Sequence, residues 1–151
     1  MEGLEELGYL GLFISSFLSA TLIPLSPEVV LGLLIYKGFK LWISIIVATF
    51  GNFFGSITTY FFGYLGDWKK IEKIFKIKKE KVYSLKYKID SYGSFLAFFS
   101  WLPFIGDILT LSLGFFRVNF KAVAFWIFIG KLMRFIVVAL LIYNGIKIVT
   151  Y

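Results

Sequence analysis

The chain has 151 residues, of which 59% are hydrophobic and 19 are phenylalanine, with a formal net charge of +7. A soluble domain of this length has too much surface to cover with so little polar material, so the composition points to the membrane. There is no cysteine and no histidine, which removes disulfides, thiol chemistry, imidazole acid–base catalysis and the usual zinc ligands together.

The N-terminus reads Met-Glu-Gly-Leu-Glu-Glu, acidic where a signal peptide is basic, so the first apolar stretch is expected to stay in the mature protein. That stretch, Leu7–Ile23, reaches about 26 Å as a helix, marginal for a bilayer core of roughly 30 Å. It meets Ile-Pro-Leu-Ser-Pro-Glu at 23–28, and Val29–Tyr36 then supplies only about 12 Å of helix before Lys37 and Lys40. A re-entrant hairpin turning at Pro24 and Pro27 accounts for both lengths, provided that protein or water covers the turn. A full span through Ile23 is the rival.

Leu41–Gly66 is long enough, at about 39 Å, to cross with tilt. Ala48, Gly51, Gly55, Thr59 and Gly63 recur on one face of it, the usual device for close helix contact in lipid. Asp67–Asp90 then holds nine lysines against four acids, with Trp68, Ile71, Phe75, Val82, Leu85 and Ile89 near helical spacing. This reads as basic amphipathic helices at the membrane surface, with Lys69, Lys70, Lys73 and Lys76 as candidate contacts to anionic lipid. The plainer alternative is a cytoplasmic loop that is basic because such loops are. Nucleic acid is not expected as a partner.

Tyr92–Phe116 repeats the hairpin logic, split by Pro103, and Phe120–Ile148 forms a long final span. An offset of 79 residues brings Pro24 onto Pro103, Glu28 onto Asp107, Gly51 onto Gly130, Tyr64 onto Tyr143 and Gly66 onto Gly145. The expected fold is therefore all-α and integral to the membrane, a single domain of two inverted halves. Each half is a re-entrant helical hairpin plus one long transmembrane helix, at about 7–66 and 92–148, joined by the basic segment 67–91. The positive-inside rule puts that connector in the cytoplasm and both termini outside. Inverted repeats with broken helices are the architecture of many secondary transporters.

The chemistry lies in charges where water is scarce. Glu28 and Asp107 fall four residues past the hairpin prolines, while Lys131 and Arg134 share a face of the final span. Each acid alone is explained as a cap favoured by its helix dipole, and the cations as counter-ions. As a set they read as a polar path through the bilayer, with Asn52 matching Lys131 in the first half. There is no nucleophile–base pair, Gly-rich phosphate loop or metal-ligand spacing, so neither an enzyme nor a cofactor is expected.

Ser-Ala-Thr-Leu-Ile-Pro-Leu-Ser-Pro-Glu (19–28), Gly-Asn-Phe-Phe-Gly-Ser (51–56), Ser-Trp-Leu-Pro-Phe-Ile-Gly-Asp (100–107) and Gly-Lys-Leu-Met-Arg-Phe (130–135) resemble the DedA superfamily. These membrane proteins are also called VTT or SNARE-associated Golgi domain proteins, and the likeness, from about Phe17 to Tyr143, is to the small YqaA-type branch. The resemblance implies facing re-entrant hairpins and movement of phospholipids or polyprenyl phosphates between leaflets. Its membrane-embedded acids and basic residues match Glu28, Asp107 and Arg134. Better-known members carry an arginine in the second hairpin motif; 100–107 has none, so a phosphate would have to fall to Arg134 and Lys131.

The expectation is a flippase or scramblase type of lipid transporter in the cytoplasmic membrane of a prokaryote. Its partners would be anionic membrane lipids, with protons as a candidate coupling ion and a homo-oligomer as a candidate assembly. The alternatives are a proton-coupled ion or small-solute transporter, and a membrane structural or assembly protein.

Overall fold

The computed structural model describes residues 2–21, 26–102 and 105–149. Its helices, in chain order, are α1 (Glu2–Ser19), α2 (Pro27–Tyr36), α3 (Leu41–Leu65), α4 (Trp68–Phe75), α5 (Lys79–Ser84) and α6 (Lys86–Tyr92). A 3₁₀ arm (Gly93–Trp101), α7 (Ile105–Phe115) and α8 (Phe120–Val149) complete the chain. Among the described residues there is no strand. Two helices, α3 and α8, are long and apolar enough to cross a membrane. Pro24 and Pro103, expected at hairpin turns, lie outside the described residues. Pro27 is the buried first residue of α2, where its missing N–H is harmless.

The first apolar block starts earlier than its hydropathy suggests, because the acidic residues at 2, 5 and 6 belong to α1. The end of α2 and the segment after it lie beside α1. The Tyr9 ring packs on Phe39, the Tyr9 hydroxyl accepts from the Lys40 N–H at 3.3 Å, and Gly8 lies under Leu34 and Phe39. The equivalent arm of the second half is a nine-residue 3₁₀ helix, longer than such helices usually run.

The offset of 79 recurs in the backbone. α2 ends at Tyr36 and α7 at Phe115; α3 begins at Leu41 and α8 at Phe120. At the first end, the N–H groups of Lys37, Gly38 and Phe39 donate to the carbonyls of Leu33, Ile35 and Leu34. At the second, those of Phe116, Arg117 and Val118 donate to Ser112, Gly114 and Leu113, each shifted by that offset. Both are Schellman ends, with Gly38 (φ 88°) and Arg117 (φ 54°) in the left-handed position.

Small residues decide the packing, as the sequence anticipates: Ala48, Gly51, Gly55, Thr59 and Gly63 are all buried. A Cβ on Gly51 would lie 2.6 Å from the Phe13 carbonyl oxygen, and Gly55 sits against the Phe17 carbonyl, so α1 runs alongside α3 at backbone contact. Thr59 Oγ1 donates to the Ala20 carbonyl at 2.9 Å and closes that seam. Further along, Gly63 meets the Leu111 carbonyl and Gly114 meets the Tyr60 carbonyl, which presses α7 onto α3. On α8, Gly130 meets the Phe98 carbonyl and Trp126 packs on Phe95 and Phe98, so the 3₁₀ arm runs in the same sense as α8. The outward sides of the long helices stay apolar and exposed, as at Ile46, Phe54, Phe125, Val137 and Leu141. An exposed apolar band of this extent needs an apolar environment.

The connector is amphipathic, but its apolar side is occupied by protein. Ile71, Ile77 and Val82 are buried with Leu111 of α7, and Ile108, Phe115 and Phe116 pack around them. Ile89 joins Leu96, Ala97 and Leu109. All nine of its lysines are exposed. The lysines, with the exposed Tyr83 and Tyr87, are left for other partners.

Because Gly63 and Gly114 touch backbone, no side-chain adjustment can admit a methyl group there. Gly114→Ala is expected to lower unfolding stability by about 2–3 kcal/mol or to prevent folding, whereas Gly3→Ala, with open space around it, leaves stability unchanged. Thermal unfolding in detergent reads both, and equal melting temperatures for the two variants would contradict the packing.

Candidate functional site

Glu28 stands in the first turn of α2 and Asp107 in the first turn of α7, where the partial positive charge of a helix start favours a carboxylate. Both are half-buried. Lys131 and Arg134 come from α8, one turn apart.

The four charges are not used alike. Arg134 Nη2 donates to Glu28 Oε1 in a direct ion pair, the side chains 21% and 25% exposed. The other Glu28 oxygen accepts from Ser26 Oγ at 3.1 Å. With both oxygens engaged, Glu28 fastens α2 to α8, and Gly32 packing on Ile142 continues the contact. Arg134 also stacks over Phe135, its guanidinium carbon 5.5 Å from the ring centre.

Lys131 is only 2% exposed. Among the described residues its ammonium makes no hydrogen bond and no ion pair within 4 Å; Asp107, Arg134 and Glu28 act on it through space. Asp107 in turn lies within electrostatic reach of Lys131 and Arg134. Glu28, Asp107, Lys131 and Arg134, two formal negative and two formal positive charges from α2, α7 and α8, thus form a cluster in which Arg134 and Glu28 touch and the others lie within electrostatic reach.

Asn52 belongs to a different contact. Its Nδ2 donates to the Ser16 carbonyl at 2.9 Å and to Ser19 Oγ at 3.0 Å, so the amide nitrogen is committed to α1, while its buried Oδ1 has no hydrogen-bond partner. The surface lysines expected to touch lipid, Lys69, Lys70, Lys73 and Lys76, are exposed on α4 and its C-terminal cap, with only a 4.0 Å solvent-facing pair between Lys70 and Asp67. Such a pair contributes little.

Two residues of the site escaped sequence reasoning. Ser26 is the N-cap of α2, and the run Ser-Pro-Glu is its visible signal, since a hydroxyl two residues before a carboxylate can fold back to it. Ser100 is 1% exposed, its Oγ has no hydrogen-bond partner, and its carbonyl presses on Gly106 beside Asp107. A hydroxyl between two aromatic residues before Pro103 was its only trace in the sequence.

Removing one member of the Glu28–Arg134 pair leaves the other charge half-buried without its partner. Glu28→Gln and Arg134→Met are each expected to destabilise, and the double variant by less than their sum, with a coupling of about 1–3 kcal/mol in a double-mutant cycle. Additive effects would remove the pair from the structural account.

The chain matches the VTT domain over residues 23–144. It is 34% identical over 138 residues to the inner membrane protein YqaA of Escherichia coli K12, covering 89% of this chain and 91% of that protein, with the same values for YqaA of Shigella flexneri. An uncharacterised protein of Haemophilus influenzae is 34% identical over 133 residues, or 83% of this chain and 81% of the relative. No solved structure matches the chain.

Proposed function

We propose that this chain, which belongs to the VTT domain family and is an integral membrane protein, moves a lipid with a polar or anionic head group between leaflets. The observation that carries this reading is the formally neutral cluster of Glu28, Asp107, Lys131 and Arg134, drawn from α2, α7 and α8 into an otherwise apolar body. Ionisable groups inside a bilayer are expensive and mark substrate or ion paths. Here two cations can neutralise a phosphate while two carboxylates keep the resting site neutral and can carry protons. The step is physical passage, without covalent chemistry or a cofactor.

The re-entrant reading of the hairpins is supported by length and by return. α2 and α7, at about 15 and 17 Å, cannot cross a core of roughly 30 Å, and the end of α2 lies beside the start of α1. The inverted repeat is supported by the backbone bonds that recur at an offset of 79. It is supported also by the contacts Gly32–Ile142 and Leu111–Gly63, which exchange onto each other under that offset. Two halves with one crossing each face opposite ways, and the nine exposed lysines of the connector support a cytoplasmic connector with both termini outside. The relatives named as inner membrane proteins support a prokaryotic cytoplasmic membrane. The exposed lysines then face anionic head groups at that surface.

Leaflet exchange of fluorescent phosphatidylglycerol and phosphatidylethanolamine in reconstituted vesicles tests the function. Wild type is expected to accelerate exchange, and Glu28→Gln, Asp107→Asn and Arg134→Ala to slow it about tenfold or more, equivalent to about 1.4 kcal/mol of barrier. Folded variants that exchange lipid at the wild-type rate would refute the site. Wild type that moves protons or solute but no lipid would replace this reading with an ion or small-solute transporter, and wild type inert in both assays with a structural protein.

Orientation has its own test, since the chain has no cysteine. A single cysteine at Ser84, exposed at the end of α5, is expected to react with an impermeant thiol reagent only from the cytoplasmic side. Labelling from outside would invert the topology.

A further inference from the structure

We propose, resting on the lipid-transport reading above, that Lys131 and Ser100 are the anion-binding half of the site and take the phosphate of the head group. Asp107 is the resident competitor for the same ammonium. When Asp107 accepts a proton, its negative charge is lost and Lys131 is released to the phosphate.

The two cations of the cluster divide this labour because, among the described residues, Arg134 has a direct partner and Lys131 does not. The Arg134 guanidinium is held by Glu28, whose second oxygen is held by Ser26. Lys131 is as deeply buried as the apolar core and forms no direct bond among the described residues. A buried ammonium that lacks a hydrogen-bonded partner is costly, and a structure retains one where something else supplies the partner.

Ser100 supplies the second donor. The 3₁₀ arm runs along α8 with Phe95 at Trp126 and Phe98 at Gly130. At about 2 Å per residue, Ser100 stands about 4 Å beyond Phe98, which is two to three residues past Gly130 along α8 and so between the levels of Lys131 and Arg134. Its hydroxyl is buried and unpartnered. A buried hydroxyl without an acceptor and, within one helical turn of it, a buried ammonium with no hydrogen bond or ion pair among the described residues suit an oxyanion.

The neighbours of Asp107 make the competition local. α8 contributes Lys131 and Arg134, and α2 contributes Glu28 through Arg134. The 3₁₀ arm contributes Ser100 and no ionisable side chain. On α3 the titratable residue nearest α7 is Tyr60, which stands at Gly114, the far end of α7, with its hydroxyl bonded to the Val118 carbonyl. Among the described residues Lys131 makes no hydrogen bond or ion pair, whereas Arg134 is paired with Glu28. The pressure of Gly106 on the Ser100 carbonyl fixes the Asp107 turn against the arm.

The test is binding, kept separate from exchange. The full chain in detergent is titrated with dihexanoyl phosphatidylglycerol and, in parallel, with inorganic phosphate. Tryptophan fluorescence is the readout, because Trp101 adjoins Ser100. Saturable binding that weakens as pH rises is expected, with Asp107→Asn binding about tenfold more tightly at high pH and losing the pH dependence. Lys131→Met is expected to abolish binding, Lys131→Arg to retain it, and Ser100→Ala to weaken it. The double variant Lys131→Met/Asp107→Asn restores local neutrality and keeps the test alive if the single variant fails to fold; it too is expected not to bind.

Wild-type affinity in either folded Lys131→Met protein overturns the proposal, as does Asp107→Asn binding no more tightly than wild type. Binding of either probe with the expected variant pattern supports a phosphate site, and the tighter probe tells a lipid source from a free-phosphate source. Intact binding with no lipid exchange would sink the transport reading while leaving the site standing.

Discussion

Charge inside a bilayer has to be answered within the fold, and that constraint organises this molecule. An isolated carboxylate or guanidinium in hydrocarbon is too expensive to tolerate. Glu28 and Arg134 satisfy each other across two helices, one too short to span and one long enough to do so. Breaking the chain after α1 makes this possible, since it delivers the start of α2, with its favourable dipole and its Ser26 hydroxyl, to the level of Arg134. The same break occurs before α7. Short helix, helix start and counter-charge are therefore one solution to a single electrostatic problem.

Hydrophobic burial alone cannot drive helices together in lipid, so close backbone contact does the holding. Glycines on α3 and α8 receive carbonyls from α1, α7 and the 3₁₀ arm, and Asn52 and Thr59 add hydrogen bonds along the first of these seams. Asn52 is thus part of the frame that sets the depth of the charges. The connector extends the frame on the other side by burying Ile71, Ile77 and Val82 on α7.

The features legible in the sequence were those that repeat or jar. Length and hydropathy gave the two long helices. The offset linking Pro24 to Pro103 and Glu28 to Asp107 anticipated helix ends that recur in the backbone, because the left-handed residue after each short helix imposes the same turn. Carboxylates in apolar runs stood out by their energetic cost. What pattern could not carry was direction around a helix axis between partners. Asn52 sits at the position of Lys131 but faces α1, since Ser16 and Ser19 offer acceptors there. The connector's amphipathic period marks an apolar face without saying whether lipid or α7 covers it. The 3₁₀ form of 93–101, its Phe98 carbonyl against Gly130 of α8, and the isolation of Ser100 have no local signature.

The two Schellman turns differ in one respect that bears on mechanics. After α2 the left-handed residue is Gly38, with open space around it; after α7 it is Arg117, whose guanidinium lies 4.6 Å from the centre of the Tyr64 ring at the end of α3. One turn is a bare pivot and the other is tethered to a neighbouring helix. Two helix ends built to a common plan therefore differ in compliance. If the halves rock against each other, bending gathers at the glycine, and the end of α7 is the stiffer of the two.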